Sequence, residues 1–552
     1  MIDSRQALKT RNGLPWRWWL AALLVEMGLF LLAGPRTASL LANTAWLILG
    51  TLAISLPLGT WLAILIAKTD VVGRKWLERL LLSLLLVPLY VQAAAWQAAL
   101  GWGGWLSAMV PTNPGQLVLL DGWRGAIWVH AMAATPWVAL FVATATGGIA
   151  RELEEDALLS GSPGQVIWRV TLRHALVGVT IASLWVASVC ASEITVTDLF
   201  QIRSIAEEVY TAASLGELTL LGEGGQPDGY SNAAAGLSMW PGMAMLGVLL
   251  VTATATMGYW LITHESVSSP WRWQITGGRW LATGTGWLLA ILLAGIPLAS
   301  MAWKAGTCVN FEGNRYVRSW AITKLAHELA VSPLKHRREW GWSFVLGAGA
   351  AMTATTSGVL LAWGLRKRWL PVVPVALLLA LGFSLPGPVL GVWLIRWLNW
   401  PADSALYFLT WCYDQTLLAP LLAQTIRALP LVTILLWMQM ESVPQDLLDN
   451  ATSEGAGGWS QLVRVVLPLR WPGVLAAMCV AFILAIGELA ATLLVVPPGV
   501  STLSIRIFGL LYYGAEDQVA ALCLDLWLLT SLLTYGAVVL IGSGKRQTSI
   551  GS

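Results

Sequence analysis

Charge is what this chain has least of. Of its 552 residues 11% are Asp, Glu, Lys or Arg, against about 25% in a soluble domain. The balance, 33 − 30 = +3, is too small to hold a polyanion. Soluble enzymes, disordered chains and nucleic-acid binders are thereby excluded. Cysteine is scarce as well. Cys190, Cys308, Cys412, Cys479 and Cys523 form no close pair and no C-x-x-C, and the five His are scattered, which excludes a disulfide framework and a zinc site. No G-x-x-x-x-G-K-[ST] loop is present. The nearest fragment, Gly542-Ser543-Gly544-Lys545-Arg546, lacks the first glycine and the hydroxyl, so the chain carries no phosphate-cradling loop of its own.

What is there is apolar. The hydrophobic share is 57% with 34 Trp, and the mean hydropathy is +0.67. Trp favours membrane–water interfaces. Twelve stretches approach the roughly 20 apolar residues that a spanning helix needs. They lie at about 16–34, 39–67, 78–101, 124–149, 174–198, 236–263, 279–303, 341–366, 369–396, 415–440, 473–497 and 517–543. In lipid an unpaired amide costs several kcal/mol, so helices are required. The predicted fold is an all-α membrane protein of about twelve transmembrane helices. The first stretch, preceded by Arg5, Lys9, Arg11 and Arg17, reads as a retained span and not a cleaved signal. With the N-terminus inside, the basic links Lys68–Arg79 and Arg366–Arg368 and the tail with Lys545 and Arg546 all face the cytoplasm. Both termini are then cytoplasmic. The acidic 199–235 segment and the basic 304–340 segment fall outside, the second against the charge rule.

The two halves echo each other. Pro136 and Pro430, Glu155 and Asp449, Ala157 and Ala451, and Gly161 and Gly455 are each 294 apart; Val170 and Val465, Leu172 and Leu467, and Glu193 and Glu488 are 295 apart. A steady offset changed by small insertions marks a duplication. Six spans per half make the repeats parallel, related by an axis along the membrane normal. The units are 1–268, with a cytoplasmic segment at 152–173, and 269–552, with one at 444–468.

Those segments are the longest internal cytoplasmic connections, and they sit at matching places. Each has an acid near the start of a short helix, which offers charge to a basic partner. Each then has a small Ala that permits close approach and a Gly that is expected to end the helix in a left-handed turn. Apolar residues then return the chain to the bilayer, with Pro468 marking re-entry in the second copy. A short helix fixed at both ends to spans is a lever for an external push. For one copy, an amphipathic interfacial turn is an equal reading; two copies in register favour function.

These segments resemble the EAA loop of ATP-binding-cassette importer permeases: E-A-A, three residues, G, nine residues, I-x-L-P. The second copy, Asp449-Asn450-Ala451, Gly455 and Val465-Val466-Leu467-Pro468, keeps the spacing. The first keeps Glu155, Ala157 and Gly161, is one residue short afterwards, and has Arg173 in place of the proline. Asn43-Thr44, Pro57-Leu58-Gly59, Lys68-Thr69-Asp70, Val87-Pro88-Leu89-Tyr90-Val91 and Ile202-Arg203 through Tyr210 resemble the fused, ferric-iron type. The resemblance implies a transport subunit that is not an enzyme and binds no cofactor, with ATP used by two partner subunits. Those subunits would dock on Glu155, Ala157, Gly161, Val170, Leu172, Asp449, Ala451, Gly455, Val465, Leu467 and Pro468. It also implies a periplasmic or surface-tethered solute-binding protein and residence in the inner membrane. Ferric iron leads as cargo, with thiamine, phosphonate, polyamine and oxyanion as alternatives.

Charges inside spans are costly and so mark function. Glu193 and Glu488, equivalent in the repeat, are pathway candidates, and a facing carboxylate pair suits a hard cation. The plainer reading is that each carboxylate bonds a helix end. Arg427 and Glu26 are further intramembrane charges, and Arg427 is expected to neutralise a carboxylate. Pro136 and Pro430 are expected to mark kinks. An ion-driven secondary transporter is the rival class; it needs carboxylates in the spans but no paired levers.

Overall fold

The computed structural model describes residues 35–101, 104–106, 119–147, 149, 151–214, 278–312, 315–513 and 516–550. Two expected spans, 16–34 and 236–263, lie outside the described residues, as do Glu26 and the join near 268. The other ten are present in two forms. Eight are helices long and apolar enough to cross a membrane: Pro35–Lys68, Gly122–Gly147, Ala175–Ser192, Arg279–Gly306, Arg337–Arg366, Leu418–Glu441, Gly458–Gly487 and Asp517–Gly542.

The remaining two correct the sequence reading. Residues 78–101 and 369–396 are not straight spans. Each is a pair of short helices, Arg74–Leu84 with Leu89–Leu100 bent by 109°, and Pro374–Gly382 with Gly387–Leu398 bent by 106°. Proline explains both breaks. Pro88 and Pro386 stand in extended backbone just before the second helix, φ −58° and −54°, where the ring forbids continuation and removes an N–H. Pro136 and Pro430, by contrast, lie inside helices that run on through them.

The duplication is visible element by element. Pro35–Lys68 answers to Arg337–Arg366, and the two bent pairs answer to each other. Gly122–Gly147 then matches Leu418–Glu441, and Arg151–Ser160 matches Gln445–Ser453. Each half re-enters through a five-residue π-helical turn, Ile167–Thr171 and Leu462–Val466, into a 21-residue helix, Leu172–Ser192 and Leu467–Gly487. Both helices stop at the repeated glutamate, earlier than the expected ends at 198 and 497. Short helices Thr195–Leu199 and Thr492–Val495 follow, then Ile205–Ser214 and Leu503–Tyr513. Even the tertiary bonds repeat. The Ile205 amide donates to Thr44 Oγ1, and the Leu503 amide to Ser343 Oγ.

The 304–340 segment, which the sequence reads only as basic and external, is folded over its described residues. Strands Thr307–Glu312 and Arg315–Trp320 pair as an antiparallel hairpin, and helix Ile322–Lys335 follows. Lys324 bonds Asp517 at 3.3 Å and Arg338 bonds the Gly499 carbonyl at 2.9 Å, which ties this cap to the second half. The largest apolar cluster joins both halves, with Val91 and Trp96 of one and Met301, Ile507, Leu522 and Leu526 of the other.

Candidate functional site

Helix lengths fix which end of the bundle holds each segment. Pro35–Lys68, at 34 residues, is about 51 Å long. Its start bonds Glu208 through Arg36 and the Arg203 carbonyl through Asn43. Its end places Lys68 on Glu154 of Arg151–Ser160. Arg279, opening the Arg279–Gly306 span, donates to the Asp70 carbonyl at that same end. That span delivers the chain to the hairpin, and Arg337–Arg366 returns it, so Arg366 donates to the Val443 carbonyl just before Gln445–Ser453. Arg151–Ser160 and Gln445–Ser453 therefore lie at one end, and residues 203–208, 307–312, 315–339, 499–513 and 516–517 at the other.

The two levers are anchored differently. In the first, Lys68 Nζ meets Glu154 Oε2 at 2.9 Å with side chains 5% and 0% exposed, and Thr171 Oγ1 donates to Glu154 Oε1 at 3.0 Å. Glu154, next to the singled-out Glu155, is the acid the sequence reading missed. In the second lever the equivalents of Glu154 and Thr171 are Leu448 and Val466, both inside an apolar cluster. Ala157 and Val170 are half-buried, while Asp449, Asn450 and Glu454 are exposed. Lys367 faces Asp449; burial and the neighbouring Arg366 push its ammonium below the usual lysine range, and Asp449 draws it back up.

Gly455 ends its helix as expected. At φ +86° it closes a Schellman motif in which the Gly455 amide reaches the Thr452 carbonyl and the Ala456 amide the Ala451 carbonyl, both at 2.9 Å. Gly161 does not. Its φ is not positive, and the turn after it is held by Gln165 Oε1, which accepts the Ser162 amide at 3.2 Å. Gln461 holds the second turn instead, donating to the Leu448 and Ala456 carbonyls and Thr452 Oγ1.

At the helix ends Glu193 and Glu488 do the same local job. Glu193 accepts the Thr195 amide at 2.7 Å and the Val196 amide at 3.0 Å; Glu488 accepts the Ala491 amide at 2.8 Å and the Thr492 amide at 2.9 Å. The Thr195 and Thr492 hydroxyls donate to the same carboxylates. These bonds satisfy the free N–H groups that open the next short helix. One cation serves both. Arg427 is half-buried within electrostatic reach of Glu488 and Glu193 and donates to the Leu385 carbonyl at 2.9 Å, where the first helix of the bent pair ends. His130 Nε2 lies 3.7 Å from Glu193. The halves cross at this level. A Cβ added to Gly487 would stand 3.0 Å from Pro88 of the other half, and Val389, in the second bent pair, packs against the first-half cluster of Leu40, Ala191, Ile205 and Val209. Among the described residues no group of three or more His, Cys, Asp or Glu is arranged to hold a metal ion.

Residues 344–544 match the family of binding-protein-dependent transport system inner membrane components. The match falls within the second repeat. Similar proteins include a Haemophilus influenzae Fe(3+)-transport system permease protein, FbpB 2, at 21% identity over 502 residues, covering 89% of this chain and 87% of the relative. A molybdenum transport system permease protein, ModB, of the same organism is 27% identical over 174 residues, 30% of this chain and 76% of that one. PhnV of Salmonella typhimurium, assigned to 2-aminoethylphosphonate transport, is 38% identical over 91 residues, 16% of this chain. The chain spans 34% of the length of PhnV. These relatives are named as permease proteins of transport systems, and this chain, with eight helices long and apolar enough to cross a membrane among its described residues, is a multi-pass membrane protein.

Proposed function

We propose that the chain is the membrane-spanning permease subunit of an ATP-driven importer, built from repeats 1–268 and 269–552. Two ATP-binding subunits dock on its coupling segments at the cytoplasmic face. An extracytoplasmic binding protein delivers cargo at the opposite end, where the hairpin cap and the 203–208 segment stand. The observation that carries this reading is the placement of two repeat-equivalent helices, Arg151–Ser160 and Gln445–Ser453, at one end of the bundle. Each connects through a π-helical turn to a helix ended by Glu193 or Glu488. Closure of the ATPase pair pushes both levers, tilts both 21-residue helices, and moves the carboxylates against the bent pairs of the opposite half. ATP is spent by the partners, and the chain itself holds no cofactor.

The crossing point has two carboxylates against one guanidinium, a net negative gate that favours a cation over an oxyanion. Ferric iron comes first among cations, supported by the 502-residue similarity to FbpB 2. Because both carboxylates are already capping helices, they would pass such an ion and not chelate it. An organic cation is the second reading, favoured by an aromatic cavity in the first half. The test is reconstitution in proteoliposomes with the ATPase encoded beside the gene. Uptake that needs ATP and is lost on Asp449→Lys with Gly455→Val, while ATP hydrolysis continues, is the expected result. Uptake that follows an ion gradient without ATP overturns the reading and favours a secondary transporter.

A further inference from the structure

The repeat is broken at one place inside the membrane, and the break leaves a hole. In the second half Arg427 occupies the space between the bent pair and the long helices. Its equivalent in the first half, 294 residues earlier, is Ala133. A cavity of about 150 Å³ lies there, lined by Gln92 from the bent pair, His130, Ala133 and Trp137 from Gly122–Gly147, and Trp185 and Cys190 from Leu172–Ser192. The second half has Gln424, Leu431, Val480 and Ala485 where the first has His130, Trp137, Trp185 and Cys190. The first half has thus lost a cation and gained two indoles and an imidazole at one spot.

We propose that this cavity binds a small organic ammonium of up to about six heavy atoms, the size that a 150 Å³ space admits. The ligand's cation takes up the place that the Arg427 guanidinium fills in the other half. Three observations define the chemistry. The Trp137 and Trp185 rings pack with centroids 4.6 Å apart in the cavity wall, and their electron-rich faces attract a cation. His130 Nδ1 is 2.8 Å from the Ala126 carbonyl, so it carries a proton, and in the neutral ring Nε2 presents a lone pair. That nitrogen makes no hydrogen bond and stands 3.7 Å from the Glu193 carboxylate. An N–H of a cation placed beside them would give His130 Nε2 the partner it lacks, while Glu193, already capping its short helix, adds a negative charge nearby. The proposal rests on the permease reading, of whose two cargo readings it takes the organic cation, and it makes the first half the one that receives cargo.

The experiment uses the full chain in nanodiscs with its ATPase partners, and butylammonium as probe, with 1-butanol as the neutral isostere and empty nanodiscs subtracted. Calorimetric titration is expected to show butylammonium binding at least tenfold tighter than butanol. Ala133→Arg, which restores the residue type of the second half and fills the cavity, is expected to weaken binding at least tenfold. Trp137→Leu, the second half's own residue, is expected to do the same and guards against misfolding of the arginine variant. Both variants are compared by gel-filtration profile and by ATPase rate in the same discs. Equal affinity for the amine and the alcohol overturns the proposal, as does wild-type affinity in either variant. If ATPase activity responds to the permease while no amine binds, the cavity proposal alone fails. If the ATPase neither docks nor responds, the permease reading fails with it.

Discussion

The buried pair Lys68–Glu154 makes a sharp prediction about the first lever. Glu154→Gln keeps the shape and the Thr171 hydroxyl contact but leaves the Lys68 ammonium, 5% exposed, without its counter-charge. Removing one partner of a buried pair costs about 3–5 kcal/mol. The pair anchors the start of Arg151–Ser160 to the end of the 34-residue helix, so the cost falls on local opening of the lever. Hydrogen–deuterium exchange across 151–171 is expected to speed up about a hundredfold or more, with exchange at 445–466 unchanged. The second half supplies the control, since it holds Leu448 and Val466 in the equivalent places. The triple variant Lys68→Met, Glu154→Leu, Thr171→Val is expected to return most of the protection, because a well-packed apolar replacement of a buried ion pair is often neutral. Unchanged exchange in Glu154→Gln, or a triple variant as open as the single one, would refute the anchoring argument.

Three further outcomes follow from the same geometry. Gly455→Ala is expected to cost about 1–2 kcal/mol of local stability, because φ +86° is left-handed, whereas Gly161→Ala is expected to be nearly silent; exchange at 445–456 against 151–162 separates them. Thr492→Val removes a hydroxyl from the Glu488 carboxylate and is expected to cost about 1.5–3 kcal/mol, read as a lower midpoint of thermal unfolding in detergent. Burial holds the His336 imidazole below its ordinary value of 6.5, with Glu339 opposing. Near that pH the unfolded chain therefore binds more protons than the folded one, and stability falls as pH drops through it. His336→Gln is expected to flatten that slope in thermal melts at stepped pH.

The spans were legible because lipid leaves the backbone one solution and long apolar runs report it directly. The repeat was legible too, since Glu193 and Glu488 or Gly161 and Gly455 keep a fixed spacing. Bends were not. Val87-Pro88-Leu89 and Leu385-Pro386-Gly387 are as apolar as their surroundings, so hydropathy reads straight through them; the proline rule was the available signal. Glu154 was hidden beside Glu155, because a buried carboxylate is defined by a partner 86 residues away, and no local pattern names Lys68. The Gly161 turn failed for a similar reason, since Gln165 replaces a backbone cap with a side chain. The 304–340 cap was read as charge alone, and its strand register came only from pairing. Glu193 and Glu488 were found as a pair, but their capping bonds became visible only once the short helices after them were on the page.

The central claim is that two equivalent segments share the cytoplasmic face and pass motion into the halves. It is tested most directly by labelling single cysteines. In a chain whose five native cysteines are replaced, Asp156→Cys and Asp449→Cys are made separately and exposed to a membrane-impermeant maleimide in right-side-out and inverted vesicles. Both positions are expected to label only in inverted vesicles, and both to be shielded when the ATPase partner is bound. Labelling from opposite sides, or no shielding at either position, would contradict the account.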